Sequence, residues 1–283
     1  KKKINLNAVS SYLSFRYPVD DENLFFKDIY RLENGSYIKF NLNRSLNPTR
    51  QKFWDIPQNN NHFDNSNLRD NEEKLDNLLQ SSVKNQLISD VPLGILLSGG
   101  LDSSLIASIA SKFKKQLNTY SVSFIEKNYD ESDKAKLVSN HIGSKHYDLK
   151  IDKNFFIENL QTLIDIKGAP ASIPHEFALY CLCKEIKKEV SVLLSGEGAD
   201  EFFGGYSRVQ KSPFDFNKTN LLKQNFDKKK FLNFFLDRYK WFGVQEKETL
   251  FSQDSKKIIN NELVYKPFEN IFMKSSKSET YSI

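Results

Sequence analysis

Apolar residues in this chain recur at two spacings that take turns along its length. From Glu72 onward, Leu75, Leu78, Leu79, Val83 and Leu87 fall on one stripe of a helix. Strands are then expected near 93–97, 119–124, 145–151 and 190–194, the first and last as short apolar runs. Helical patterns near 103–116, 132–142 and 175–188 separate them. This alternation predicts an α/β fold, a parallel sheet with helices on both faces. Such sheets bind ligands beyond the C-terminal ends of their strands, which is where Ser98-Gly99-Gly100 and Ser195-Gly196 fall.

The flanks read differently. Residues 1–57 look like strands and turns, with a short helix over Ala8–Leu13 and a strand-like alternation over Gly35–Phe40. Residues 58–71 are rich in Asn and Asp and read as an exposed linker. Beyond Arg208, a helical run containing Phe231, Leu232, Phe234, Phe235, Leu236, Tyr239, Trp241 and Phe242 reads as core packing rather than a stacking platform for bases.

Composition narrows the class. A chain of 283 residues with 39% hydrophobic content can bury one substantial core and a second small unit. No apolar run approaches the roughly 18–20 residues a membrane crossing needs. Net charge is +5, from 41 basic and 36 acidic residues, and it is spread rather than striped. The densest basic clusters, around Lys112 and Lys228–Lys230, sit on helical patterns and read as solvated faces, so no nucleic-acid partner is expected. Cys181 and Cys183 are too close in sequence for an unstrained disulfide and too few for zinc, so free thiols in a reducing cytoplasm are expected. The four histidines show no metal spacing, and His146 reads as structural.

The chemistry lies in the two loops. Leu96–Ser104 reads LLSGGLDSS, joining a strand to a helix through residues too small to keep phosphate oxygens from backbone N–H groups. An anion delivered there meets the positive end of a helix dipole. No Gly-Lys-Ser/Thr follows, which excludes a Walker A loop. Asp102 instead sets a carboxylate beside the phosphates, an arrangement that calls for a divalent cation between them. The second loop, LLSGEGADEFFGGY over 193–206, carries Glu197, Asp200 and Glu201, placed on one face if a helical turn starts there. Gly196, Gly198, Gly204 and Gly205 are too costly for a plain surface helix.

The first string resembles the PP-loop of the ATP pyrophosphatases, which split ATP to AMP and pyrophosphate. Followed about ninety residues later by LSGEGADEFFGGY, it resembles the synthetase domain of the glutamine-hydrolysing asparagine synthetases. DVPLGILLSGG (90–100), SVSF (121–124) and YDESDKAKLVSNHIGSKHYDL (129–149) extend the match. The resemblance implies an adenine nucleotide alpha hydrolase-like fold using ATP and Mg²⁺. It implies that Ser98, Gly99, Gly100, Asp102 and Ser103 hold the phosphates, and that Leu97, Val122, Ser195 and Gly196 contact the adenosine. Asp102 and Asp200 would hold Mg²⁺, and Glu197, with Asp102, would serve the chemistry. The implied reaction turns aspartate into an acyl-adenylate that ammonia converts to asparagine. Related readings are an amidotransferase of surface-polysaccharide or other secondary metabolism, another PP-loop acceptor chemistry such as tRNA modification, and a degenerate nucleotide-binding module.

Residues 1–57 resemble the tail of the family's glutaminase domain, 72–210 its ATP-binding core and 211–283 its helical extension. The family's glutaminase uses an N-terminal cysteine, whereas this chain begins with Lys1. The family's Arg-x-Pro-Phe-Leu-Asp motif and later lysine are not found before Ile283. The expectation is an excerpt of a longer protein, with ammonia supplied by a glutaminase elsewhere, in the same polypeptide or a separate one, and with a homodimer among the assemblies.

Overall fold

The computed structural model describes residues 2–20, 24–41, 45–55, 67–125, 132–207, 211 and 228–274. Two compact units result. One is Phe63–Ser207; the other joins Lys1–His62 with Arg208–Ile283. Most of the expected linker and residues 129–131 of the extended match lie outside the described residues.

In the second unit by sequence start, Phe63–Ser207, the expected parallel sheet forms. Its strands are β3 (Leu93–Leu96), β4 (Asn118–Phe124), β5 (Lys145–Ile151) and β6 (Val192–Leu194), in the order β5-β4-β3-β6 and all parallel. Side chains alternate between two cores. Leu93, Ile95 and Leu97 enter one with Val83 of α2 (Leu68–Gln86), Ala107, Ile109 and Ala110 of α3 (Leu101–Phe113), and Ala135 of α4 (Ser132–Ile142). Leu96 and Leu193 face the other way, onto Leu182 and Ile186 of α6 (Pro174–Ile186). Helices therefore cover both faces.

Between β5 and α6 stands α5 (Lys153–Lys167), which the periodicity reading omits. Its boundary marks are present in the sequence. Asp152 caps it, accepting from the Phe155 N–H at 2.7 Å, and Gly168 ends it at φ 62. With Leu163, it contributes to a cluster that holds Phe177 and Cys181. Cys181 is buried and Cys183 exposed, both unpaired. Burial pushes the Cys181 thiol up to about 11, which makes it a poor nucleophile.

His146 has the structural setting its position suggests. Its Nδ1 lies 3.0 Å from Thr119 Oγ1 and its Nε2 lies 3.2 Å from Ser121 Oγ. Ser121 and Ser123 in turn donate to Asp148. These residues alternate with Tyr120, Val122, Tyr147 and Leu149, so a polar ladder ties β4 to β5 on the face opposite α6. Burial lowers the imidazole's proton affinity, although Asp148 works the other way.

In the other unit, α1 (Leu6–Phe15) is the short helix expected near residues 8–13. β1 (Ser36–Asn41) is the expected strand, and it pairs antiparallel with β2 (Ser45–Lys52). The aromatic run becomes α8 (Lys228–Tyr239), followed by α9 (Val244–Leu250), α10 (Gln253–Ile258) and α11 (Asn261–Lys274). Leu232 and Leu236 of α8 are buried with Phe15 and Val264, as a core reading requires. Small buried Ser10 and Ser14 let α1 approach its neighbours closely. Ser14 Oγ donates to the Phe242 carbonyl at 3.1 Å, and its own carbonyl accepts from the Trp241 N–H.

That close approach buries Lys247 of α9 to 1% exposure. Its ammonium donates to Ser10 Oγ at 2.9 Å. Burial, assisted by Lys240, pulls its pKa down to about 8. A lysine whose folded pKa lies below its unfolded value weakens the fold wherever it is protonated in the unfolded chain. That penalty is complete below pH 8 and is relieved as pH rises from about 8 to the unfolded value near 10.5. Lys247→Met is expected to raise stability at pH 7 by roughly 2 kcal/mol. It should also abolish the gain in stability of the parent protein over that alkaline interval. Urea unfolding at a series of pH values measures both.

Candidate active site

The strand order decides where a site can form. From β3 the chain winds outward through β4 to β5, then returns to place β6 on the other side of β3. A sheet whose winding reverses in this way opens a crevice at the C-terminal ends of the strands on either side of the reversal. Leu93↔Val192, Gly94↔Leu193 and Ile95↔Leu194 are paired, so the two Ser-Gly turns leave the sheet side by side.

The first turn is closed by its own hydroxyls. The Gly100 N–H donates to Ser98 Oγ at 3.2 Å and the Ser98 N–H to Ser103 Oγ at 3.2 Å; the Ser103 hydroxyl donates to the Gly100 carbonyl at 3.3 Å. Gly100 is the N-cap of α3, and no side chain caps that helix start. Its first N–H groups are thus aimed outward over a loop of small residues. Gly99 has a separate task. At φ +80 it turns away from the crevice, and a Cβ there would stand 2.5–2.6 Å from Lys134 and the Ala135 backbone nitrogen. Glycine here seats the loop against α4 and does not face the cleft.

The second turn packs directly on the first. A Cβ at Gly196 would lie 3.0 Å from the Asp102 Cβ and from the Ser103 nitrogen. The chain continues through Gly198, left-handed at φ 91, into the single turn α7 (Ala199–Phe203), which Gly204 ends at φ 69. A Cβ at Gly205 would collide with the Asp200 carboxylate. All four glycines of this segment thus answer to a close approach or a left-handed conformation.

A cleft of about 700 Å³ opens between the turns, entirely within this unit. Leu97, Ser98, Gly100, Asp102, Ser103 and Val122 line it from one side, and Ser195, Gly196, Glu197 and Asp200 from the other. Of the candidate residues, Gly99 alone is not part of the lining. Tyr120, Ser121 and Phe124 of β4, with Ala178, Leu179 and Leu182 of α6, add a mainly apolar wall that the motif reading did not assign. A continuous buried strand gives no sequence mark of which residue borders a cavity.

The acids are arranged differently from a single helical face. Glu197 precedes α7, and its Oε1 lies 3.2 Å from His175 Nε2 on the first turn of α6. Asp200 and Glu201 lie within α7, and Glu201 accepts from the Tyr206 hydroxyl at 2.8 Å. That hydrogen bond, with some burial and the nearby carboxylates, raises the phenol's pKa. Asp102, Glu197, Asp200 and Glu201 all line the cleft, while among the described residues no lysine or arginine does. His175 and Tyr206 are polar lining residues that sequence reasoning also left without a role.

Comparison with known proteins supplies a family. Residues 74–268 match the family model described as asparagine synthase. The chain is 31% identical over 212 residues to the glutamine-hydrolysing asparagine synthetase 1 of Bacillus subtilis, covering 72% of this chain and 32% of that protein. It is 33% identical over 175 residues to asparagine synthetase B of Escherichia coli, covering 53% of this chain and 30% of that one. The chain thus spans about a third of the length of these relatives. Among solved structures, the NH3-dependent NAD synthetase of Campylobacter jejuni is 14% identical, with 74% of this chain and 95% of that chain covered at a TM-score of 0.34, a likeness too loose to argue from. A family match across most of the sheet unit and into the helices beyond it assigns the chain to the asparagine synthase family.

Proposed function

We propose that this chain is the ATP-using part of an amide-forming ligase of the asparagine synthetase type. The observation that carries the reading is the seating of Gly196 against Asp102 and Ser103, which makes one cleft of two strand-end turns. In this reading the uncapped start of α3 and the Ser98–Ser103 loop receive the pyrophosphate portion of ATP. Leu97, Val122, Ser195 and Gly196 flank the adenosine. An aspartate carboxylate attacks the α-phosphorus, pyrophosphate leaves, and ammonia then displaces AMP from the acyl carbon to give the amide. Glu197 takes the proton that the attacking nitrogen sheds.

The charge balance supports a divalent cation. A triphosphate entering beside Asp102, Glu197, Asp200 and Glu201 meets only like charge from the described lining. Unit charges 4 Å apart repel by about 4 kcal/mol at a surface-like dielectric. Asp102 and Asp200 are hard oxygen donors suited to Mg²⁺, which takes one or two carboxylates and completes its shell with phosphate and water. The ion would neutralise the departing pyrophosphate. Ammonia would come from a glutaminase domain or subunit, and the unpaired Cys181 and Cys183 fit a cytoplasmic setting.

The test is aspartate-dependent exchange of labelled pyrophosphate into ATP, using the product of the complete gene. Exchange is expected, and Asp102→Asn or Asp200→Asn should each lower it by about a hundredfold. Exchange with no carboxylate substrate at all, or none under any condition, overturns the reading. Gly196→Ala should raise the Kd for ATP roughly tenfold by wedging the two turns apart, as isothermal calorimetry would register.

A further inference from the structure

A carboxylate that is to accept a proton from an amine must be aimed, and Glu197 sits in an open turn with two-thirds of its side chain exposed. What fixes it comes from another element. His175 occupies the first turn of α6, directly after Pro174, which opens that helix. The turn is anchored from its other side. Glu176 Oε2 accepts from Lys167 Nζ at 2.6 Å and from the Ser172 N–H at 3.2 Å. Burial opposes the ionisation of Glu176, yet these bonds outweigh it and hold its carboxyl below the usual range. Thus the helix start that carries His175 is tied down by its neighbour, and the imidazole Nε2 stands 3.2 Å from Glu197 Oε1, with both residues lining the cleft.

We infer that His175 is a positioning residue for the amide-forming step, acting through Glu197. An imidazole N–H donated to Oε1 occupies one oxygen of the carboxylate and leaves Oε2 free to accept a proton. When ammonia forms its bond to the acyl carbon and AMP leaves with the electron pair of the broken C–O bond, the surplus N–H proton passes to Oε2. His175 remains 66% exposed on its side chain. The inference rests on the ligase reading above, and it assigns His175 to the second half-reaction alone. Asp102 and the phosphate loop serve the first.

The experiment measures both half-reactions in the complete gene product. His175→Ala is expected to leave aspartate-dependent ATP–pyrophosphate exchange within about twofold of the parent. It should lower kcat for ammonia-dependent amide formation tenfold or more, with the KM for ATP unchanged. His175→Gln, which keeps an N–H donor, should recover a large part of the loss, and free imidazole should partly rescue the alanine variant because the site is open. Glu197→Gln should be no worse when combined with His175→Ala than alone, since both would disable one unit. Amide formation unaffected by His175→Ala, with exchange intact, overturns the inference and leaves the ligase reading standing. A loss of exchange equal to the loss of amide formation also overturns it, because His175 would then support the cleft as a whole. Absence of exchange in the parent protein removes the ligase reading itself.

Discussion

The parallel pairing of β3 with β6 is the constraint on which the site depends. These strands are separated by almost the whole sheet in sequence, yet their registered residues run from Leu93↔Val192 to Ile95↔Leu194. Neighbouring strands lie roughly 4.8 Å apart. Two turns leaving such strands at one level have room for backbone between them but little for side chains. Glycine at 196 is a consequence of that spacing, since its neighbours across the gap are the Asp102 Cβ and the Ser103 nitrogen. The apolar faces of β3 and β6 contribute to the same two cores, so the burial that stabilises the sheet also holds the turns in register.

Much of this was legible because buried parallel strands write themselves as apolar runs. β3 and β6 follow from that pattern, and with them the convergence of two small-residue turns, whereas β4 and β5 alternate polar with apolar residues. What escaped it had weaker or misleading local marks. β2 (Ser45–Lys52) is polar and contains Pro48, so it exists through pairing with β1 rather than through alternation. α5 lacked a clean stripe because its buried positions include Asn159, whose amide donates to the Phe155 carbonyl while its oxygen accepts from Lys184. Gly99 carried the right residue for a different reason, the approach of α4. The contact of His175 with Glu197 crosses two elements, and no spacing rule within one element could have displayed it.

The two helices that leave the turns differ in length, and with it in the field that each presents at the cleft. α3 runs for 13 residues with no side chain capping its start, so its aligned dipoles and free N–H groups favour an anion. α7 is five residues long and bounded by left-handed glycines, too short to develop a comparable field. Carboxylates at Asp200 and Glu201 therefore neither cap a long helix nor compete for its N–H groups; they remain free to face the cleft. In the proposed reading the start of α3, with Asp102 beside it, would meet the phosphate oxygens, and the second corner would supply carboxylates whose counterpart is a cation or the proton shed by ammonia. The short, glycine-bounded turn is in this sense as much a part of the site as the acids it carries.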